Sequence, residues 1–140
     1  MSETVTYETD FCAWAIQNAQ LLREGQLTKI DAEHIAEELE GMSASDRREL
    51  LNRLQVLLLH LLKCQYQPER RSRSGLLTIS HQRTAIERLL EQSPSLKTLL
   101  DADTLTKVYG KAVRDTVIET DLERHLFPVE LSLSPRTNPR

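Results

Sequence analysis

Aromatic side chains, glycines and thiols are all scarce in this chain: one Trp, two Phe and three Tyr, four Gly and two Cys among 140 residues. With Leu dominating the apolar set, that balance favours helices, because Leu, Glu, Gln, Arg and Ala lose little rotamer freedom in a helix. No strand pattern, internal repeat or low-complexity segment is present. Cys12 and Cys64 are too few and too far apart for a disulfide framework. No apolar run approaches the roughly 20 residues that span a bilayer. The longest, Val56 to Leu62, is broken by His60. Met1-Ser2-Glu3-Thr4 opens no basic region followed by an apolar stretch, so no signal peptide is read. The expected setting is the cytoplasm, with no membrane contact. A Gly-rich phosphate loop, a Ser-His-Asp order and a zinc-protease string are also missing. No cofactor is expected, and the reading leans away from an enzyme.

What is there is an ordinary globular composition, 39% hydrophobic and 28% charged, on a length that suits one domain. The net charge of −3 conceals a split. Residues 1–45 carry a balance of −7, residues 46–90 one of +5, and the remainder one of −1. An acidic third followed by a basic third means either an anionic partner or two parts that neutralise each other.

Apolar spacing and punctuation place the helices. Asp10 can cap a helix from about residue 11 to 24, stopped by Gly25. A second spans about 31–41, begun by a capping box from Thr28 or by Asp31 itself. A third starts near Ser43 or Ser45 and runs to Tyr66, ended by Pro68. Leu50, Leu54, Leu57 and Leu61 form one row on it, beside Leu51, Leu58 and Leu62. Two adjacent rows imply a central helix in a bundle, with Leu54, Leu57, Leu58 and Leu61 among its most buried residues. A fourth helix reaches about Glu91, Ser93-Pro94 opens a short one to Asp101, and a longer one covers about 103–122. The expected fold is an all-α, single-domain helical bundle of about five helices, residues 1–128. Residues 129–140 lack apolar anchors and are expected to be a disordered tail.

Several strings carry a resemblance. They are Tyr7-Glu8-Thr9-Asp10-Phe11, Leu21-Leu22-Arg23-Glu24-Gly25, Ala36-Glu37-Glu38-Leu39-Glu40-Gly41-Met42, and the stretch from His60 through Gln67-Pro68-Glu69-Arg70-Arg71, followed by Pro94-Ser95-Leu96. In that order, over about residues 7–128, they resemble a bacterial family known as domain of unknown function 29. The resemblance implies a helical bundle and supplies no chemistry. Cys12 stands where that family has an aromatic, and Cys64 and Gly75 where it has Trp. Both thiols therefore read as packing substitutions.

His60 and Cys64 sit four apart on one helical face, a spacing that suits two metal ligands or a base and a nucleophile. With no third group nearby, the packed reading is preferred. His34, Glu37 and Glu38 could hold a metal, but no facing Glu-x-x-His set completes a di-metal site, so no metal is expected. The strongest feature outside the core is basic: Arg70, Arg71 and Arg73, with Lys63 and Tyr66 close by on the last turns of the third helix. Arginine suits bidentate binding of carboxylate or phosphate. The preferred expectation is an internal clamp from one of these arginines onto an acid of residues 31–40. The alternative is an exposed anion or partner site. A single tyrosine is a thin stacking surface for nucleic acid. The function read from the sequence is a protein-interaction or structural module with a protein partner, which could be another copy of itself. The alternative is a nucleic-acid or nucleotide-associated protein that uses residues 70–73.

Overall fold

The computed structural model describes residues 5–129, and it is all-α. Four α-helices, α1 (Phe11–Arg23), α2 (Ala32–Tyr66), α3 (Arg73–Gln92) and α4 (Ala102–Thr120), alternate with short 3-10 turns at Pro68–Arg70, Pro94–Leu99 and Arg124–Leu126. No strand occurs among the described residues, and no helix there is long and apolar enough to cross a membrane. Residues 130–140, most of the expected tail, lie outside the described residues.

Local chemistry sets most boundaries. The Asp10 carboxylate accepts from the Ala13 N–H at 3.0 Å and starts α1. Gly25, at φ +73°, ends it. The Gly25 N–H donates to the Leu22 carbonyl and the Gln26 N–H to the Leu21 carbonyl, the paired closure that needs a left-handed residue at this point. Ser72 caps α3 through the Gly75 N–H, and Asp101 caps α4 through the Thr104 N–H.

One expected boundary is absent. The helices read over 31–41 and 43–66 are a single 35-residue helix, α2, which passes through Gly41 and Met42–Ser45 unbroken. Gly-Met-Ser-Ala-Ser looks like a stop because Gly and Ser are weak helix formers. Their cost is only about 1 kcal/mol per glycine, and no proline enforces a break. The six-residue stretch expected as a short helix after Pro94 is a 3-10 turn.

The chain divides into two compact units, Met1–Ala44 and Ser45–Arg140, and the dividing point falls within α2. In the first unit Trp14 and Asn18 of α1 are buried. Asn18 donates to the Trp14 carbonyl at 2.9 Å and accepts from the Asp31 N–H at 2.7 Å, tying α1 to the start of α2.

The second unit is a helical bundle with two apolar clusters. Leu50 joins Ile86, Leu89 and Leu96, with Leu54, Leu57 and Leu90 against them. Leu62 joins Tyr109, Ala112, Val113 and Phe127, with Leu58, Tyr66 and Val117 alongside. Polar links span the same surfaces: Arg53 donates to Gln82 of α3 at 3.2 Å, and Gln55 to Asp115 of α4 at 2.7 Å. The most buried leucines of α2 are Leu50, Leu59 and Leu62, in place of the expected Leu54, Leu57, Leu58 and Leu61, which are only partly buried. Leucines serving two clusters on different sides of one helix each keep a flank in the open.

Leu50 is fully buried, so Leu50→Ala should lower the unfolding free energy by about 2–5 kcal/mol. Gly41 is helical and a methyl added there would meet nothing within 4 Å. Gly41→Ala should therefore raise stability, by about 0.5–1 kcal/mol, if α2 is continuous. Urea titrations of the two variants measure both effects, and a destabilising Gly41→Ala would indicate a turn at this glycine.

Candidate functional site

Two polar assemblies stand out, one in each unit. In the second unit, the end of α2 and the start of α3 are joined by the tight 3-10 turn Pro68–Arg70, which leaves a cleft of about 180 Å³. Lys63, Arg70, Arg71, Ser72 and Ser74 line it, together with His60 and Cys64. Three of the five residues singled out from the sequence, Lys63, Arg70 and Arg71, thus share one cavity wall.

They do different work there. Arg71 turns back onto α2, its Nε and Nη2 donating to the Cys64 carbonyl at 3.3 and 3.2 Å. That carbonyl belongs to the last turn of α2, where no N–H further along the helix is available to it. A guanidinium there also offsets the partial negative charge of the helix end. Lys63 pairs with Glu119 of α4 at 3.0 Å. Arg70 and Arg73 are exposed and make no ion pair or hydrogen bond among the described residues. Tyr66 is not part of the basic wall: its ring meets Phe127 edge-on at 4.8 Å, within the second apolar cluster.

Arg71 serves a helix terminus, and Asp31, Glu37 and Glu38 take partners inside the first unit.

His60 and Cys64 both face the cleft, and His60 Nδ1 is held by the Val56 carbonyl at 3.0 Å. Both cysteines are free thiols, Cys12 exposed and Cys64 partly buried. Among the described residues no group of three His, Cys, Asp or Glu side chains is arranged to hold a metal.

Of the second assembly the sequence offered only His34, Glu37 and Glu38, weighed as metal ligands, and not the aromatic and Asp31 contacts. His34 lies stacked on Tyr7, ring centroids 4.2 Å apart, with the Trp14 ring edge-on at 6.3 Å. The Asp31 carboxylate accepts from the Trp14 indole at 2.9 Å and contacts His34 Nδ1 at 2.7 Å. On the other side of the ring, Nε2 meets Glu8 at 3.3 Å and Glu37 at 3.8 Å. Tyr7 donates its hydroxyl to Glu38. One imidazole thus gathers the segment before α1, the buried Trp14 of α1 and the first turns of α2, beside a cavity of about 490 Å³.

Charge follows geometry. The hydrogen bond to Asp31, helped by the carboxylates of Asp31, Glu8 and Glu37, raises the His34 pKa against the cost of burial. The same hydrogen bond, then that from Trp14, lowers the Asp31 pKa. Donation to Glu38 foremost, then burial and the surrounding carboxylates, pushes Tyr7 up to about 12. The raised pKa favours the imidazolium form of His34 among these acids.

The pH dependence has a definite sign. A raised histidine stabilises the fold fully below its ordinary value of 6.5 and loses that contribution as pH climbs through the folded value. A depressed Asp31 stabilises fully above its ordinary 3.8 and loses that as pH falls through its folded value. The stability difference between the native chain and His34→Gln should thus be largest between those two values and shrink above neutrality. Thermal melts across pH, read by the fluorescence of Trp14, measure it. A difference that grows with pH would show that the ring is not held as an imidazolium.

The family model for domain of unknown function DUF29 matches residues 6–137, running across both units. No curated protein and no solved structure matches the chain. With nearly the whole sequence matched, the chain belongs to the DUF29 family.

Proposed function

We propose that this chain is a cytoplasmic protein-interaction module, and that the cleft at the junction of α2 and α3 receives a carboxylate or phosphate carried by its partner. One observation carries the reading: Arg70 lines a concave site without a partner of its own, while Arg71 and Lys63 already have theirs. Free guanidinium groups beside a cavity suit bidentate capture of an anionic group. The serine hydroxyls of Ser72 and Ser74 and the start of α3 add donors and a favourable dipole on the same side.

The apolar neighbours favour a protein over a nucleic acid. Leu76 and Leu77 are 53% and 52% exposed and follow Arg73 by three and four residues, so all three share a face of α3. Base recognition would instead want an aromatic platform, and Tyr66 is turned against Phe127.

The test uses a labelled oligoglutamate peptide and mixed-sequence single-stranded DNA, followed by fluorescence anisotropy with the native chain and with Arg70→Glu/Arg73→Glu. Peptide binding should weaken at least about tenfold in the variant, a loss of about 1.4 kcal/mol. It should also weaken as salt rises. DNA bound more tightly than the peptide, and lost in the same variant, would replace this reading with the nucleic-acid one.

A further inference from the structure

A second basic cavity in the same unit shares no residue with the cleft at the α2–α3 junction. It measures about 440 Å³ and lies between α2, the 3-10 turn Pro94–Leu99 and α4. Arg48 and Leu51 line it from α2, Lys107, Val108 and Lys111 from α4, and Leu99 from the turn. At about 100° per residue, Arg48 and Leu51 fall within about 60° of each other around α2. The three residues of α4 fall within about 100°. Each helix therefore turns one side to the groove.

The base of the groove is apolar and its mouth is cationic. Val108 is buried, and Leu51 and Leu99 are half-buried. Leu51 belongs to neither apolar cluster of the unit among the described residues, and the groove is where it is found. Arg48, Lys107 and Lys111 are exposed, and their side chains make no ion pair or hydrogen bond among the described residues. Other cations along α2 are engaged: Arg53 with Glu49, and Lys63 with Glu119. The acids of α4 do not quench the groove. Asp115, one turn beyond Lys111, accepts from Gln55 at 2.7 Å, and Asp101 accepts from the Thr104 N–H at 2.8 Å. Asp103 makes no ion pair with Lys107.

Three uncommitted cations around an apolar floor match a ligand that has both characters. We infer that this groove binds a small amphiphilic anion. Its aliphatic chain lies on Leu51, Leu99 and Val108, and its phosphate or carboxylate head sits among Arg48, Lys107 and Lys111. The arginine offers a bidentate fork, and the lysines add point charges. The volume falls within the range of small-molecule sites. No aromatic side chain lines the groove, so nothing there stacks a nucleotide base.

Isothermal titration calorimetry on the full chain tests this with octyl phosphate and octanoate, each below its micelle-forming concentration. At least one of the two should bind, one molecule per chain; the tighter of them assigns the head group. That probe should bind at least about tenfold more tightly than inorganic phosphate, which lacks the chain. It should exceed octyl glucoside, which lacks the charge, by at least about tenfold as well. Lys107→Glu/Lys111→Glu should weaken binding at least about tenfold. Arg83→Glu/Arg88→Glu, on α3 and outside the groove, alters the net charge equally and should leave binding unchanged. All four positions are exposed, and circular dichroism checks that each variant stays helical. Should the lysine variant unfold, Arg48→Gln carries the same test, with the same direction of change. Failure of both amphiphiles to bind overturns the inference. So does binding of inorganic phosphate or octyl glucoside as tight as theirs, binding retained in the lysine variant, or an equal loss in both charge variants.

Discussion

Half of α2 cannot be left to water, and the second unit is organised around that constraint. Between Leu50 and Leu62 the helix carries leucines at positions 50, 51, 54, 57, 58, 59, 61 and 62, more than one neighbouring helix can cover. Leu50 is taken by α3 and the turn after it, and Leu62 by α4 and Phe127. The helices that supply these covers need little else. Their inward residues are mostly aliphatic, and the one fully buried hydroxyl, Thr116, is satisfied by the Ala112 carbonyl of its own helix. Even the chain beyond α4 is drawn into this scheme, since Phe127 closes the second cluster and the Tyr109 hydroxyl holds the Pro128 carbonyl at 2.8 Å. Arg53, Gln55 and Lys63 then add direction, each reaching from α2 to a polar group on a neighbouring helix. Burial supplies most of the energy, while the polar reach selects a register.

The first unit solves a different problem with few apolar residues. Its sole tryptophan is buried, and an indole N–H inside a protein needs an acceptor. Asp31 provides one, but a partly buried carboxylate needs more than a single neutral donor. His34 provides the charge, and Glu8 and Glu37 keep that charge in place. Each requirement follows from the previous one, so removing any member leaves the next group unsatisfied.

The parts of this structure that were legible in the sequence are the ones encoded within a few residues. Asp10 and Gly25 act on groups three positions away, and local pattern suffices to find the helix ends they make, whereas the caps at Ser72 and Asp101 were not read. The bundle class is legible because leucine spacing is a one-dimensional signal. The phase of burial is harder: Leu59 is buried and Leu58 only partly so, a choice that no spacing on α2 records. Met42–Ser45 failed as a boundary because weak helix formers lower propensity without forbidding the conformation. At the cleft, Lys63, Arg70 and Arg71 are close in sequence and their proximity could be read. Tyr66 could not be excluded there, since its partner Phe127 lies 61 positions further on. The aromatic contacts of His34 were hidden for the same reason, because Tyr7, Trp14 and His34 meet only after two helices have docked.

Why the cleft is positive follows from the two helix ends that meet there. α2 arrives with its carbonyl end, partly negative, and α3 departs with its N–H end, partly positive. Left alone, the two would largely cancel across so short a connection. Arg71 changes the balance by covering the Cys64 carbonyl, so the negative end is neutralised from within the chain. Ser72 offsets less at the other end: its hydroxyl accepts from the Gly75 N–H but brings no charge. The Lys63–Glu119 pair adds nothing net, and Glu69 is the lone acid of the connecting turn, set against Arg70 and Arg73. What remains at the cavity is an N-terminal helix dipole and the free guanidinium group of Arg70.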